Sequence, residues 1–189
     1  MSRKLLFVFN PHSGKGQIKN NLVDIVDIMV KAGYEVTIYT TQARADATRK
    51  VIEEAQNFDR IVCSGGDGTL DEVVTGLIQS EASTPIGYIP AGSTNDFANS
   101  LGIPKEMVKA AEVAVGNNPF PCDIGDFNSD TFVYVAAFGL FTEVSYKTSQ
   151  QLKNIFGHVA YIMEGAKCLH DIPSYNMQVE YDGNVFQDE

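Results

Sequence analysis

Short apolar runs, each followed by apolar residues at helical spacing, constrain this chain more than any other feature. The first run, Leu5 to Phe9, is apolar at every position. A strand with one wet face alternates polar and apolar residues, so an unbroken run predicts a strand covered on both sides, as in parallel sheets. Ile18, Leu22, Ile25, Val26 and Met29 then recur at helical intervals, and Gly33 stands where that helix would stop. Glu35–Thr40, Arg60–Ser64 and Ile86–Ile89 read as further strands. Ala43–Gln56 and Leu70–Gln79 read as the helices between them, with Lys105–Val115 as a closing helix. This alternation predicts an α/β layered domain around a largely parallel sheet.

From Phe120 the texture changes. Asp123–Phe127 and Thr131–Phe138 read as antiparallel strands joined by an Asn128-Ser129-Asp130 turn. A helix is predicted over Ile155–Cys168, then a strand over Asn176–Tyr181 entering an Asp182-Gly183 hairpin. The expected organisation is an α/β domain over 1–120 and a β-rich domain over 121–189. That second domain is expected to be cut short, because strands without partners make a poor chain end.

Composition removes several function classes. With 14 Lys and Arg against 24 Asp and Glu, the formal charge is -10, the wrong sign for non-specific nucleic-acid binding. Met1–Asn10 opens like a signal peptide, but its apolar run stops after five residues at Asn10-Pro11, which favours a buried strand. The apolar run Val133–Phe141 is far short of the roughly 20 residues that span a bilayer. Cys63, Cys122 and Cys168 have no metal-ligand spacing and read as reduced thiols of a cytoplasmic protein.

Three glycine-rich segments each follow a strand and precede a helix, which places them at the carboxyl edge where open α/β sheets bind ligands. Asn10-Pro-His-Ser-Gly-Lys-Gly16 lacks the glycine and hydroxyl spacing of a Walker loop. It is either a phosphate turn or a plain strand–helix connection with an exposed lysine. Gly65-Gly-Asp-Gly-Thr-Leu70 is sharper: three glycines around one carboxylate are costly in backbone entropy. A carboxylate aimed at a metal or a reacting hydroxyl, with amides around it for phosphates, accounts for them better than a tight turn. Pro90-Ala-Gly-Ser-Thr-Asn-Asp-Phe97 carries four polar residues behind a glycine, where one helix cap needs one.

Taken together, Gly65-Gly-Asp-Gly-Thr, the following Leu70-Asp-Glu-Val-Val-Thr-Gly76 and Pro90-Ala-Gly-Ser-Thr-Asn-Asp-Phe-Ala98 resemble the catalytic domain of diacylglycerol kinases. The likeness is to the soluble bacterial lipid kinase branch, related to sphingosine and ceramide kinases, and Asn10–Gly14, Thr41 and Cys122–Gly125 fit it too. NAD kinases share the glycine-rich signature; the Gly-Ser-Thr-Asn-Asp-Phe-Ala segment narrows the choice. The resemblance implies a three-layer α/β/α nucleotide-binding domain followed by the truncated start of a β-sandwich. It implies ATP and Mg2+, with nucleotide contacts from Asn10, Pro11, His12, Ser13, Gly14, Thr41, Gly66, Asp67, Gly68, Thr69, Leu70, Asp71, Glu72 and Ser93. Asp67 and Asp96 would sit by the transferred phosphoryl group and its magnesium, with Asp123 in support from the domain junction. Where the family usually has Thr and Asn, this chain has Ser93 and Asp71. The family's general base and a structural magnesium site lie beyond residue 189, so this piece is expected to lack normal activity.

The expected function is phosphorylation of a lipid hydroxyl, diacylglycerol to phosphatidic acid, with a small-molecule kinase of the NAD kinase type or a silent ATP-binding module as alternatives. The expected setting is cytoplasmic and peripheral at the inner membrane face, with a transient lipid partner, no nucleic acid, and a homodimer by resemblance. His158 and His170 read as structural.

Overall fold

The structure is a computed structural model, and it describes residues 2–128, 130–136 and 175–188. Two compact units divide the chain, within Met1–Val135 and within Ala136–Glu189.

In the first unit, β1 (Arg3–Phe9), β2 (Tyr34–Thr40), β3 (Arg60–Gly65) and β4 (Ile86–Pro90) form a sheet in the order β2-β1-β3-β4, every neighbouring pair parallel. The fully apolar run of β1 explains its central place, since each of its faces meets a helical layer. Leu5, Phe7 and Phe9 pack with Ile18, Ile25 and Met29 of α1 (Ile18–Lys31) and with Met107, Ala110 and Ala111 of α5 (Met107–Ala114). Leu6 and Val8 pack on the other side with Ala47 and Val51 of α2 (Asp46–Glu54) and Leu70 and Val73 of α3 (Asp67–Gln79). The domain is therefore a three-layer α/β/α sandwich, as expected. Phe7 is fully buried, worth about 1.5–3 kcal/mol of transfer free energy.

Register places the strand ends flush. Phe9 lies opposite both Thr40 and Ser64, and Gly65 lies opposite Pro90. The connections after β1, β2, β3 and β4 thus leave from one edge. Because α1 and α3 leave to opposite faces from the adjacent strands β1 and β3, the chain changes direction there and opens a crevice.

Several boundaries differ from the sequence expectation: α2 begins at Asp46 rather than Ala43, α5 at Met107 rather than Lys105, and the strand expected over Asp123–Phe127 at Gly125. Helix α3 begins at Asp67 rather than Leu70: Gly66 is extended, and its carbonyl accepts the amides of Thr69 (3.0 Å) and Leu70 (3.2 Å). The glycine-rich segment is the first turn of a helix and not a free loop. β6 (Asp130–Phe132) pairs antiparallel with β5 (Gly125–Phe127), as expected, but ends six residues before Phe138. Residues 137–141 and the helix predicted over Ile155–Cys168 lie outside the described residues. In the second unit, β7 (Met177–Tyr181) and β8 (Asn184–Asp188) form the hairpin read from Asp182-Gly183. Among the described residues no helix is long and apolar enough to cross a membrane.

Candidate functional site

The three glycine-rich segments are pressed against one another. A Cβ on Gly14 would lie 2.5 Å from the Ala91 carbonyl oxygen, and one on Gly92 would lie 2.6 Å from the Gly66 Cα. Contacts that short are met only by glycine, so the first turn touches the third and the third touches the second. Gly14 also needs its φ of 53°. Backbone bonds continue the ladder into the turns: Asn10 N–H donates to the Ser64 carbonyl (3.0 Å), Thr41 N–H to that of Phe9 (3.0 Å) and Ala91 N–H to that of Gly65 (2.8 Å).

Beside this junction lies a pocket of about 260 Å³. Asn10 and His12 line it from the β1–α1 turn, Thr41, Gln42, Ala43 and Arg44 from the β2–α2 turn, and Thr69 and Glu72 from α3. Asn10 shapes its own turn, its Oδ1 accepting the His12 amide at 2.9 Å. The sequence did not single out Gln42, Ala43 or Arg44; apart from their place directly after Thr41, nothing in the residues marks them.

Helix N-termini carry unpaired amides and a partial positive charge. At two of the helices around the crevice, carboxylates of the chain itself take them. α4 (Asp96–Ser100) follows Asn95, whose side chain is turned away to close a ring with Gly92, accepting from its N–H (2.7 Å) and donating to its carbonyl (3.0 Å). The cap comes from 29 residues away instead: Asp67 accepts the amides of Asp96 (3.0 Å) and Phe97 (3.4 Å). At α2, Glu72 accepts the amides of Ala45 (2.9 Å) and Ala47 (3.3 Å), while Asp46 accepts those of Gln42 (2.7 Å) and Ala43 (3.0 Å). The start of α3 differs: beyond its own helical turn, a Cβ on Gly68 would meet no atom of the described residues within 4 Å.

Residues 4–127 match the family model described as the diacylglycerol kinase catalytic domain. The chain belongs to the diacylglycerol kinase catalytic-domain family. It is 40% identical over 191 residues to a diacylglycerol kinase of Staphylococcus aureus and 38% identical over 192 residues to one of Staphylococcus carnosus, in each case along its whole length. It spans 60% and 62% of those two proteins. A crystal structure of a diacylglycerol kinase from Bacillus anthracis superimposes with a TM-score of 0.69 at 28% identity, over 99% of this chain and 60% of that one.

Within this diacylglycerol kinase-family domain, the expected residues fall into distinct surroundings. Ser93 and Asp96 are exposed at the third glycine-rich turn, and Thr41, which lines the pocket, is almost buried. Leu70 is only 2% exposed, its side chain packed in the core beneath α3. Asp123 is exposed in the irregular stretch before β5 and is not among the residues lining the pocket. Asp71 is half-buried and accepts the Val133 amide at 3.0 Å. Burial pushes its carboxyl pKa up, the Val133 bond opposes this, and the Asp67 charge adds to the rise. Burial likewise raises the Cys63 thiol and the Tyr88 phenol. Cys63 is therefore inert, while the Tyr88 hydroxyl donates to the Gly65 carbonyl at 3.1 Å and steadies the turn.

Among the described residues there is no cluster of three or more His, Cys, Asp or Glu able to hold a metal alone. What is present is Asp67, bonded to the backbone of Asp96, with acceptor capacity left on its carboxylate. A magnesium ion that shares its coordination with phosphate oxygens needs only one or two carboxylates, so this donor set fits that mode of binding.

Proposed function

We propose that this chain is the nucleotide-binding part of an ATP-dependent kinase that phosphorylates a lipid hydroxyl, converting diacylglycerol to phosphatidic acid. The observation that carries the reading is the meeting of the three glycine-rich turns beside a pocket, with Gly68 at the start of α3 facing open space. A glycine in a helical turn costs about 0.5–1 kcal/mol relative to alanine. With no neighbour among the described residues to require it, the reason lies in a ligand that approaches the backbone there. Polyphosphate suits that place, because the start of α3 offers amides and a positive dipole end.

In this reading Asn10–Gly14, Thr41, Gly66–Glu72 and Ser93 surround the nucleotide, and Asp67 and Asp96 face the γ-phosphoryl group. Magnesium, when bound, supplies neutralisation of the terminal phosphate charge. The acceptor hydroxyl attacks in line; its oxygen bonds to the γ-phosphorus, the bond to the β,γ-bridging oxygen breaks, and ADP leaves. The hydroxyl proton passes to a carboxylate, which the family resemblance places beyond residue 189. Asp123 supports the site from the boundary near residue 120, where the β-rich part over 121–189 starts. The whole protein acts at the cytoplasmic membrane face, peripherally and as a homodimer.

Two measurements test the reading. The chain should bind ATP with magnesium in calorimetry, and the complete protein should release ADP with micellar diacylglycerol and not with NAD. Turnover with NAD alone would replace the lipid acceptor, and nucleotide binding with no acceptor would leave a silent module.

A further inference from the structure

Helix α3 carries the glycine-rich turn at its start and a second attachment on its flank. Asp71 accepts the amide of Val133 at 3.0 Å, and one helical turn further on the Thr75 hydroxyl is hydrogen-bonded to the Thr131 hydroxyl. Asp71 and Thr75 are four residues apart and so share one face of the helix. Thr131 lies on β6 and Val133 directly after it, so β6 crosses that face against the direction of α3. The Val133 side chain packs against the core cluster that holds Leu70, Val73 and Val74. β6 in turn fixes β5: Gly125 lies opposite Phe132 and Phe127 opposite Asp130, and Gly125 has no Cβ to strike the Phe132 ring. Asp123 stands two residues before Gly125. From Asp67, the first residue of α3, to Asp123 the path therefore runs through one helix and one ribbon, all within the first compact unit.

We propose that Thr75 and Thr131 are positioning residues. Their bond holds the β5–β6 ribbon in register on α3, and through the ribbon sets where Asp123 stands relative to the nucleotide turn. Apolar packing alone is non-directional and tolerates a slide along the helix. A hydroxyl pair and a carboxylate–amide bond do not, since both lose their geometry when the ribbon shifts by one residue. Both threonines are half-buried, so leaving one hydroxyl unpaired is costly rather than neutral. Neither lines the pocket, so they act on the reaction only through the ribbon. The inference rests on the kinase reading for its catalytic consequence, though not for its geometry.

The test uses the complete protein with Thr75→Val, Thr131→Val, the double variant and Thr75→Ser. ADP release with micellar diacylglycerol gives kcat and the KM for magnesium-ATP; melting temperature and hydrogen exchange by mass spectrometry are read alongside. Valine keeps the shape of threonine and removes the hydroxyl, so kcat should fall about fivefold in either single variant, the equivalent of one hydrogen bond. Exchange over residues 130–135 should quicken by a similar factor, with β1 and β3 unchanged. The KM for magnesium-ATP should not change, because the nucleotide turns are untouched. Thr75→Ser keeps the hydroxyl and should turn over at the wild-type rate. The double variant puts an apolar pair where the hydroxyls met; it should regain melting temperature and keep the lowered kcat, because packing returns without the register. Wild-type kcat in the single variants, a kcat that recovers with melting temperature in the double variant, or a rise in KM matching the fall in kcat would each overturn the assignment. So would exchange that quickens across the whole sheet. If the wild-type protein releases no ADP, the kinase reading falls and the catalytic role with it, a result seen before any variant is compared.

Discussion

Replacing Gly68 with alanine should move two quantities in opposite directions. Gly68 is the second residue of α3, and beyond its own helical turn a methyl group there meets none of the described residues within 4 Å. Alanine is favoured over glycine by up to about 1 kcal/mol inside a helix; in the first turn we take about 0.5 kcal/mol. For a chain of this size that gain raises the apo melting temperature by about 1–2 °C. Ligand should reverse the sign. Magnesium-ATP at 100 times its Kd stabilises a protein by about 2.7 kcal/mol. A methyl group in the path of the phosphates should cost about one hydrogen bond, or about tenfold in Kd, leaving about 1.4 kcal/mol at the same concentration. Calorimetric melting with and without magnesium-ATP reads both numbers: apo Gly68→Ala melts slightly higher, and its nucleotide-induced shift is about half that of wild type. A lower apo melting temperature would mean that the fold itself needs this glycine. An undiminished nucleotide shift would mean that no ligand comes near it.

Other perturbations separate fold from site. Gly92→Ala drives a methyl group into the Gly66 backbone, and unlike Gly68→Ala it should lower apo stability by about 1–3 kcal/mol, read by urea unfolding. Asp71→Asn should stabilise at pH 7, by less than about 1 kcal/mol given its partial exposure, because the amide keeps the Val133 bond and removes a half-buried charge. Its raised carboxyl pKa helps the fold below the ordinary value of 3.8 and loses that help as pH rises through the folded value, so the gain should vanish at pH 3 and persist at pH 7. Asp46→Asn has the opposite sign. The Gln42 amide, with those of Ala43 and the Arg49 guanidinium, holds the Asp46 carboxyl below 3.8 against the effect of its burial. Its stabilisation is present above that value and lost as pH falls through the folded one, so the variant should be weaker at pH 7 and indistinguishable well below 3.8 in the same unfolding assay.

How much of this could be read from the residues follows from what each signal records. The unbroken run Leu5–Phe9 announces burial on both faces, and with helices between strands that is enough to order the layers and bring the turns to one edge. Helical periodicity records the buried stripe alone. Leu70, Val73 and Val74 mark α3, while its polar first residues, Asp67 to Thr69, leave no such mark, which is why the helix starts earlier than expected. Caps are less legible still. Asn95 looks like the cap of α4 and bonds to Gly92 instead, because any short polar side chain before a helix looks alike in sequence, and a carboxylate 29 residues away gives no sign of arriving.

The acidic residues of the signature illustrate the same limit and suggest how the site tolerates them. In sequence, Asp67 reads as a carboxylate aimed at a metal or a reacting hydroxyl, and the resemblance adds Asp71 and Glu72 to the nucleotide contacts. In the fold, each accepts amides from a different segment: Asp67 from α4, Asp71 from the stretch after β6, Glu72 from the start of α2. Three carboxylates on the first two turns of one helix thus set the positions of three neighbouring pieces of chain. Their charge is partly met by N–H groups before any anion arrives. α3 can therefore carry three acids close to the place proposed for a polyphosphate, because each is partly neutralised by backbone amides, with Asp67 keeping acceptor capacity for a metal and Gly68 left facing the opening.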